Sequence, residues 1–340
     1  MILFAFGLTV IQIPGITAGA IHPGWAYLSV LLPFLVSRVE MNLMHWLGAI
    51  FIIYAGLSLL WAPTGTEAFW HLCVIVGCFC LGSIVNLRSI YIGLALGVTI
   101  SSIIVLFQVN GIDVVPENAA PAGLFANKLV LGWLACLVLI GLVSKKLWWY
   151  IPGVLPSALL TEARSAILGV TVAGFVWLWP RSRMSALGIA FAIVIAAVVI
   201  ILINYRMEGI QVREYIWIDT LKGFTLFGHG IGSFDYYFPM LNTYLDPTIT
   251  RPDHAHNDFI EYIFELGIGV IPLFVIIGLL LWQKENEVFI GYFIMAFFGF
   301  PTYHPATAFI GAIVAGKLAS DWSLVRYKSY FSRSNLYAQC

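Results

Sequence analysis

Charge is what this sequence has least of. Of its 340 residues only 10% are Asp, Glu, Lys or Arg, 61% are hydrophobic, and the mean hydropathy is +0.93. A water-soluble domain carries roughly 25% charged residues. A chain this apolar would expose large greasy patches in water, so its natural solvent is the bilayer. The 17 basic and 17 acidic residues cancel, and a neutral chain has no electrostatic footprint for nucleic acid. Cysteine is scarce as well. Cys73, Cys78, Cys80, Cys136 and Cys340 contain no C-x-x-C pair, which leaves neither a disulfide framework nor a zinc site. There is no D-x-D metal motif, no repeat of 20–50 residues and no low-complexity segment. No charged region precedes the first apolar run, which reads as a transmembrane helix and not as a cleaved signal.

What is present is a series of apolar runs, most of them near the length a helix needs to cross about 30 Å of hydrocarbon. They fall near 1–20, 24–37, 44–61, 68–86, 90–109, 128–143, 147–160, 165–180, 184–204, 258–281, 288–303 and 306–320. The expected fold is therefore an all-α integral membrane protein of about twelve transmembrane helices. The runs 24–37 and 147–160 are short and carry Pro33, Pro152 and Pro156, so either is a candidate re-entrant or broken helix. Alternating the twelve spans puts Arg38, Arg88, Lys145, Lys146, Arg181, Arg183, Lys284, Arg326, Lys328 and Arg333 on one face. By the positive-inside rule that face is cytoplasmic, as are both termini. The long loop 205–257, the 110–127 loop and the 161–164 turn then lie outside, which in a bacterium is the periplasmic face. The 12 Trp and 15 Tyr suit the two interfacial belts.

The segment 206–269 is the one long polar interruption, and it holds most of the candidate chemistry. D-H-A-H-N-D at 253–258 is the densest titratable cluster and ends where an apolar helix starts. A helix N-terminus lowers the pKa of a nearby histidine, keeping it neutral and able to accept a proton. Three readings stand side by side: a general base at His256, a metal site from His254, His256 and an aspartate, or a polar N-cap through Asn257 or Asp258. Glu261 and Glu265 share a helix face just inside the membrane, where a carboxylate is a functional suspect. Arg164, in T-E-A-R-S-A, sits at the outer mouth of a span. It either faces a functional partner, snorkels to lipid phosphates or pairs with Glu162. Arg213 lies on a stretch whose apolar residues recur at roughly helical spacing over 210–221, an amphipathic helix on the outer membrane surface. There its guanidinium is either functional or merely solvated. The G-H-G-I-G-S-F turn, with Gly228, Gly230 and Gly232, lets backbone come close to a ligand or simply makes a turn.

Together these residues resemble the O-antigen ligase and polymerase superfamily. Four matches carry the resemblance, in the family's order. T-E-A-R-S-A at 161–166 is similar to T-x-S-R-x-A, with Ala163 at the serine position. R-E-Y-I-W at 213–217 is similar to R-x-x-x-W. G-H-G-I-G-S-F at 228–234 is similar to G-x-G-x-G-x-F. His256 to Gly267 is similar to H-N-x9-G. G-L-F-A-N-K at 123–128 is a further partial match. The resemblance implies a membrane glycosyltransferase of GT-C-type architecture. Its donor would be a glycan on undecaprenyl diphosphate and its acceptor a hydroxyl on lipid A–core or on another glycan. Transfer would occur with inversion at the periplasmic face of the bacterial inner membrane, without cofactor or metal. It also implies Arg164 and Arg213 as diphosphate-binding residues and His256 as the catalytic residue, with Gly228, Gly230, Gly232, His254, Asn257 and Glu261 in support. The implied catalytic core is 128–281, between N-terminal helices at 1–127 and C-terminal helices with a tail at 282–340.

The motif ending at Gly267 favours a ligase. A polymerase or a protein O-oligosaccharyltransferase shares the same donor. A polytopic transporter or flippase is the reading from another class. The clustering of polar residues on one face, and their scarcity at the midplane, speak against it.

Overall fold

The computed structural model describes residues 1–10, 23–29, 41–112, 114–115, 121–125, 127–182, 208–241 and 252–337. The expected span 184–204 lies outside these residues, as do 11–20 of the expected span 1–20, 30–37 of the expected span 24–37, parts of the 110–127 and 205–257 loops, and Arg38 and Arg183. Among the described residues the chain is all-helical, without a strand. The helices are α1 (Ile2–Val10), α2 (Pro23–Ser29), α3 (Leu43–Ser58), α4 (Thr66–Gly82), α5 (Leu87–Val109), α6 (Lys128–Ser144) and α7 (Ile151–Leu160). They continue with α8 (Arg164–Leu178), α9 (Glu208–Lys222), α10 (Phe234–Leu241), α11 (Asp258–Leu266), α12 (Ile271–Leu281), α13 (Glu287–Phe297) and α14 (Pro305–Tyr337).

Asparagine starts several of these helices. Asn42, Asn86, Asn127 and Asn257 each turn the side-chain oxygen onto one or two of the first free N–H groups of α3, α5, α6 and α11. Proline and glycine end or break others. Pro301 and Pro305 bracket the short connection between α13 and α14, so the helix expected over 288–303 stops at Phe297.

Two stretches among the described residues are long and apolar enough to cross a membrane. One is Leu87–Val109, with 23 residues. The other is Asp258–Leu281, with 24 residues, formed by α11 and α12 in line. A turn of 3₁₀ helix at Gly267–Val270 interrupts the second. Helices α3, α4, α6, α8 and α13 are apolar but shorter. The outward faces of the bundle are greasy. On α3 Trp46, Ile50, Ile53 and Leu57 are exposed, and on α5 Leu96, Ile100, Ile103 and Phe107. The spacing 4, 3, 4 is one helical stripe in each case. The inward face of α5 instead carries Ser101, Ser102 and Gln108, all buried. This inverts the polarity of a water-soluble helix and suits a hydrocarbon surround.

Close approaches tie the bundle together. Helix α8 crosses α13 where Gly169 faces Gly291, and α4 crosses α14 where Gly82 faces Gly316. One end of the bundle gathers the 59–65 connection, the glycine-rich turn and the segment before α11. There Tyr54 Oη donates to Phe227 O at 2.9 Å, Thr64 Oγ1 to Gly232 O at 3.0 Å and the Ile231 N–H to Ser58 Oγ at 3.0 Å. The other end gathers Asn42 Nδ2 on Ala319 O at 2.9 Å and the Lys145–Glu285 ion pair at 3.6 Å.

The glycine-rich turn docks against the break after α11. His229 N–H donates to Phe264 O at 3.1 Å, Gly230 N–H to Glu265 O at 2.8 Å and Ile268 N–H to Leu226 O at 2.9 Å. Gly228 (φ +73°) and Gly267 (φ +53°) face each other across this contact, and a Cβ on either would strike the opposing backbone. Two motifs separated in sequence are thus the two halves of one joint. Gly111 (φ +78°) also has a left-handed backbone, but open space surrounds it. Gly111→Ala should therefore lose only the conformational cost, about 1 kcal/mol. Gly228→Ala should lower the unfolding temperature in detergent several degrees further, because backbone and not a movable side chain blocks the methyl group.

Candidate functional site

The start of α11 organises the site. Asn257 Oδ1 accepts the N–H groups of Phe259 at 3.0 Å and Ile260 at 3.1 Å, closing the helix end. One turn further on, the Glu261 carboxylate, 1% exposed, reaches back. Its Oε1 takes His254 Nδ1 at 2.9 Å and its Oε2 takes the Ala255 N–H at 2.7 Å. Across from it, Trp217 Nε1 on α9 donates to Ala255 O at 2.8 Å. With the peptide held on both sides, His256 adopts φ +54°, a left-handed conformation that costs a non-glycine residue about 1 kcal/mol or more. Its half-buried ring stands edge-on to Phe300 with centroids 5.0 Å apart.

Arg213 lies four residues before Trp217, on the same face of α9. It is half-buried, and its Nη1 donates to Phe298 O at 3.1 Å, so the arginine turns inward and is not a solvated group on a surface helix. Arg164 begins α8 and is exposed. Glu162, its neighbour in sequence, pairs with Lys128 at 3.5 Å instead. Trp133 Nε1 donates to Ser165 Oγ at 2.7 Å and holds the start of α8 against α6.

Electrostatics join these pieces. Burial lowers the Arg213 pKa, and the nearby Arg164 charge lowers it further. Burial also pushes His256 down to about 4, helped by the charges of Arg213 and His254. For His254 burial opposes the charged form, but the Glu261 ion pair and hydrogen bond outweigh it, with help from Asp258 and Glu265, and its pKa is raised. Two histidines two residues apart are thereby driven in opposite directions, His256 toward the neutral form and His254 toward the imidazolium. The direction agrees with the neutral His256 expected from the sequence, and its named causes are burial and the charges of Arg213 and His254.

Arg164, Arg213, His254, His256, Asn257 and Glu261 therefore share one neighbourhood. Gly228, Gly230 and Gly232 do not. They meet the far end of α11, a nine-residue helix about 13 Å long, and two of the turn's N–H groups are already used on helix carbonyls. Sequence reasoning missed the aromatic hub at Phe300. Its ring lies 5.7 Å from Trp133, 4.9 Å from His254 and 5.4 Å from His304, and the Tyr303 ring lies 4.0 Å from His254. The available signal was G-F-P-T-Y-H-P at 299–305, a histidine between two prolines at the join of two apolar runs. For the metal reading, the His254 nitrogen nearest the carboxylates is taken by Glu261. Among the described residues no three His, Cys, Asp or Glu side chains gather as a metal would require.

Residues 154–275 match the family model described as O-antigen ligase. The chain carries an O-antigen ligase domain. The match supports a relation to the O-antigen ligase superfamily, and it takes in Arg164, Arg213, the glycine-rich turn and all of α11. No curated protein matches the chain. The ligase domain, with two apolar stretches of membrane-crossing length, supports a membrane glycosyltransferase of the O-antigen ligase and polymerase type.

The two histidines provide the direct check on this site. A titration of ¹³C-histidine-labelled chain in lipid nanodiscs, with resonances assigned by substitution, should find His254 titrating above the ordinary 6.5. His256 should remain neutral down to about 4.

Proposed function

We propose that this chain transfers a glycan from undecaprenyl diphosphate to an acceptor hydroxyl at the periplasmic face of the bacterial inner membrane. The acceptor we favour is lipid A–core, which makes the chain an O-antigen ligase. The observation that carries the reading is the sequence of neighbours inside the ligase domain, Arg164 beside Arg213 and Arg213 beside a histidine held neutral. Residues 128–281 form the catalytic core in this reading, flanked by 1–127 and 282–340, and both termini are cytoplasmic.

The chemistry follows from the charges. The acceptor oxygen attacks the anomeric carbon, and the bond from that carbon to the diphosphate breaks. The electron pair leaves with the diphosphate and the configuration inverts. Arg164 and Arg213 stabilise the negative charge that develops on the leaving group, as preorganised guanidinium groups do without a metal. His256 takes the acceptor's proton. A base with a pKa near 4 is unprotonated but weak. The bound diphosphate offsets the Arg213 charge that depresses it, so the donor itself raises the basicity of His256. The acceptor is deprotonated most readily when a donor is in place.

The test is expression in two bacterial strains, one lacking its ligase and one lacking its polymerase, followed by lipopolysaccharide gels. Long chains on core in the first strain support the ligase. A ladder in the second, without rescue of the first, replaces the ligase reading with a polymerase. Rescue of neither, with the chain inserted in the membrane, contradicts the proposal. In the rescued strain Arg164→Ala, Arg213→Ala and His256→Ala should each lower transfer by about a hundredfold or more with insertion intact.

A further inference from the structure

Nothing in that reaction explains what holds His256 in place. Among the described residues its ring makes no hydrogen bond, so its direction is set by its backbone. That backbone is left-handed, at φ +54°. The peptide before it is fixed by Glu261 and Trp217, and the residue after it caps α11. Both oxygens of Glu261 are spent on the two residues preceding His256, at 2.9 and 2.7 Å, and the carboxylate is 1% exposed. A buried carboxylate is expensive unless its partners need it. Trp217 and Asn257 each hold one point of the segment. Glu261 holds two, from inside the membrane helix itself.

We propose that Glu261 is the positioning residue of the site. It acts through His254 and Ala255 to keep His256 in its left-handed conformation beside Arg213. The inference rests on the reading of His256 as the base. The carboxylate suits this role because it accepts at both oxygens, whereas an amide accepts at one and must donate at the other. Helix α11 is capped at its start and locked at its end to the glycine-rich turn, so the latch is mounted on a rigid element. A misplacement of about 1 Å at a reacting group is enough to lose about a hundredfold in rate.

The test compares Glu261→Ala with Glu261→Gln in the full chain, in nanodiscs for histidine titration and in the rescued strain for transfer. Among the described residues the charged or titratable groups facing His256 are Arg213, His254, Asp253 and Glu261. Those facing His254 are His256, Asp258, Glu261, Glu265 and Tyr303. Glu261→Ala removes a charge that raises His256, but it also frees the segment and lets water reach the ring, and burial is the larger influence, so His256 should titrate above about 4 and transfer should fall about tenfold or more. Glu261→Gln fills the same volume. In it His254 should lose its raised pKa, with a smaller loss of transfer.

An inserted Glu261→Ala chain with His256 still near 4 overturns the inference, whether or not transfer falls, because a segment freed from its anchor cannot keep the ring out of water. A Glu261→Gln chain whose His254 titrates as before overturns it independently, should the alanine variant fail to fold. His256→Ala is run beside them. Full transfer in that variant removes the base and this inference together. A dead His256→Ala with unaltered Glu261 variants removes the inference alone.

Discussion

A helix that begins inside protein leaves its first N–H groups without partners, and this chain's site is built from the way that problem is solved at α11. Asn257 supplies the cap, and Glu261, one turn in, reaches back to bind His254 and Ala255. The same bonds that complete the helix end fold the preceding segment over it and force His256 into a left-handed backbone. At the other end of α11, Gly267 lets the chain break and dock the glycine-rich turn. A short helix tied at both ends is a rigid mount, and the catalytic histidine of the proposed reaction stands on its rim.

The second dependence is electrostatic. Arg213 is drawn inward to Phe298 O, close enough to feel Arg164, and His256 feels Arg213 in turn. Two like charges in a partly buried setting repel, and that unfavourable arrangement is relieved by an anionic ligand. The free site is in this sense built for an occupant of the opposite sign. Glu261 favours the charged form of His254, which adds to the same field. The Phe300 hub sets the local dielectric, packing a hydrocarbon ring among Trp133, His254, His256 and His304.

Much of this was legible because charge is so sparse. With 10% charged residues, each arginine or histidine outside the basic loops stands out, and the motifs around Arg164, Arg213 and His256 point to residues linked in space through Arg213. The helical class followed from apolar run length. What could not be read was direction. On α9 the exposed residues include Tyr215, Ile218 and Leu221, while Asp219 and Thr220 are buried. A surround of lipid inverts the usual rule, so periodicity alone does not say which face turns inward. Phe300 was hidden because an aromatic residue inside an apolar run carries no signal of its own. The glycines at 228, 230 and 232 were legible as close approach, but not their partners, which are the end of α11 for Gly228 and the stretch from Ala62 to Ala68 for Gly230 and Gly232. Those partners are more than 30 residues away in sequence, beyond the reach of any local pattern.

The central claim is that Arg164 and Arg213 form one site for a diphosphate. It is tested most directly by the affinity of the full chain in nanodiscs for undecaprenyl diphosphate, compared among wild type, Arg164→Ala and Arg213→Ala. The account predicts that each substitution weakens binding by about tenfold or more, because a charge-assisted contact is worth about 1.5–3 kcal/mol. Equal affinity in all three proteins would contradict it.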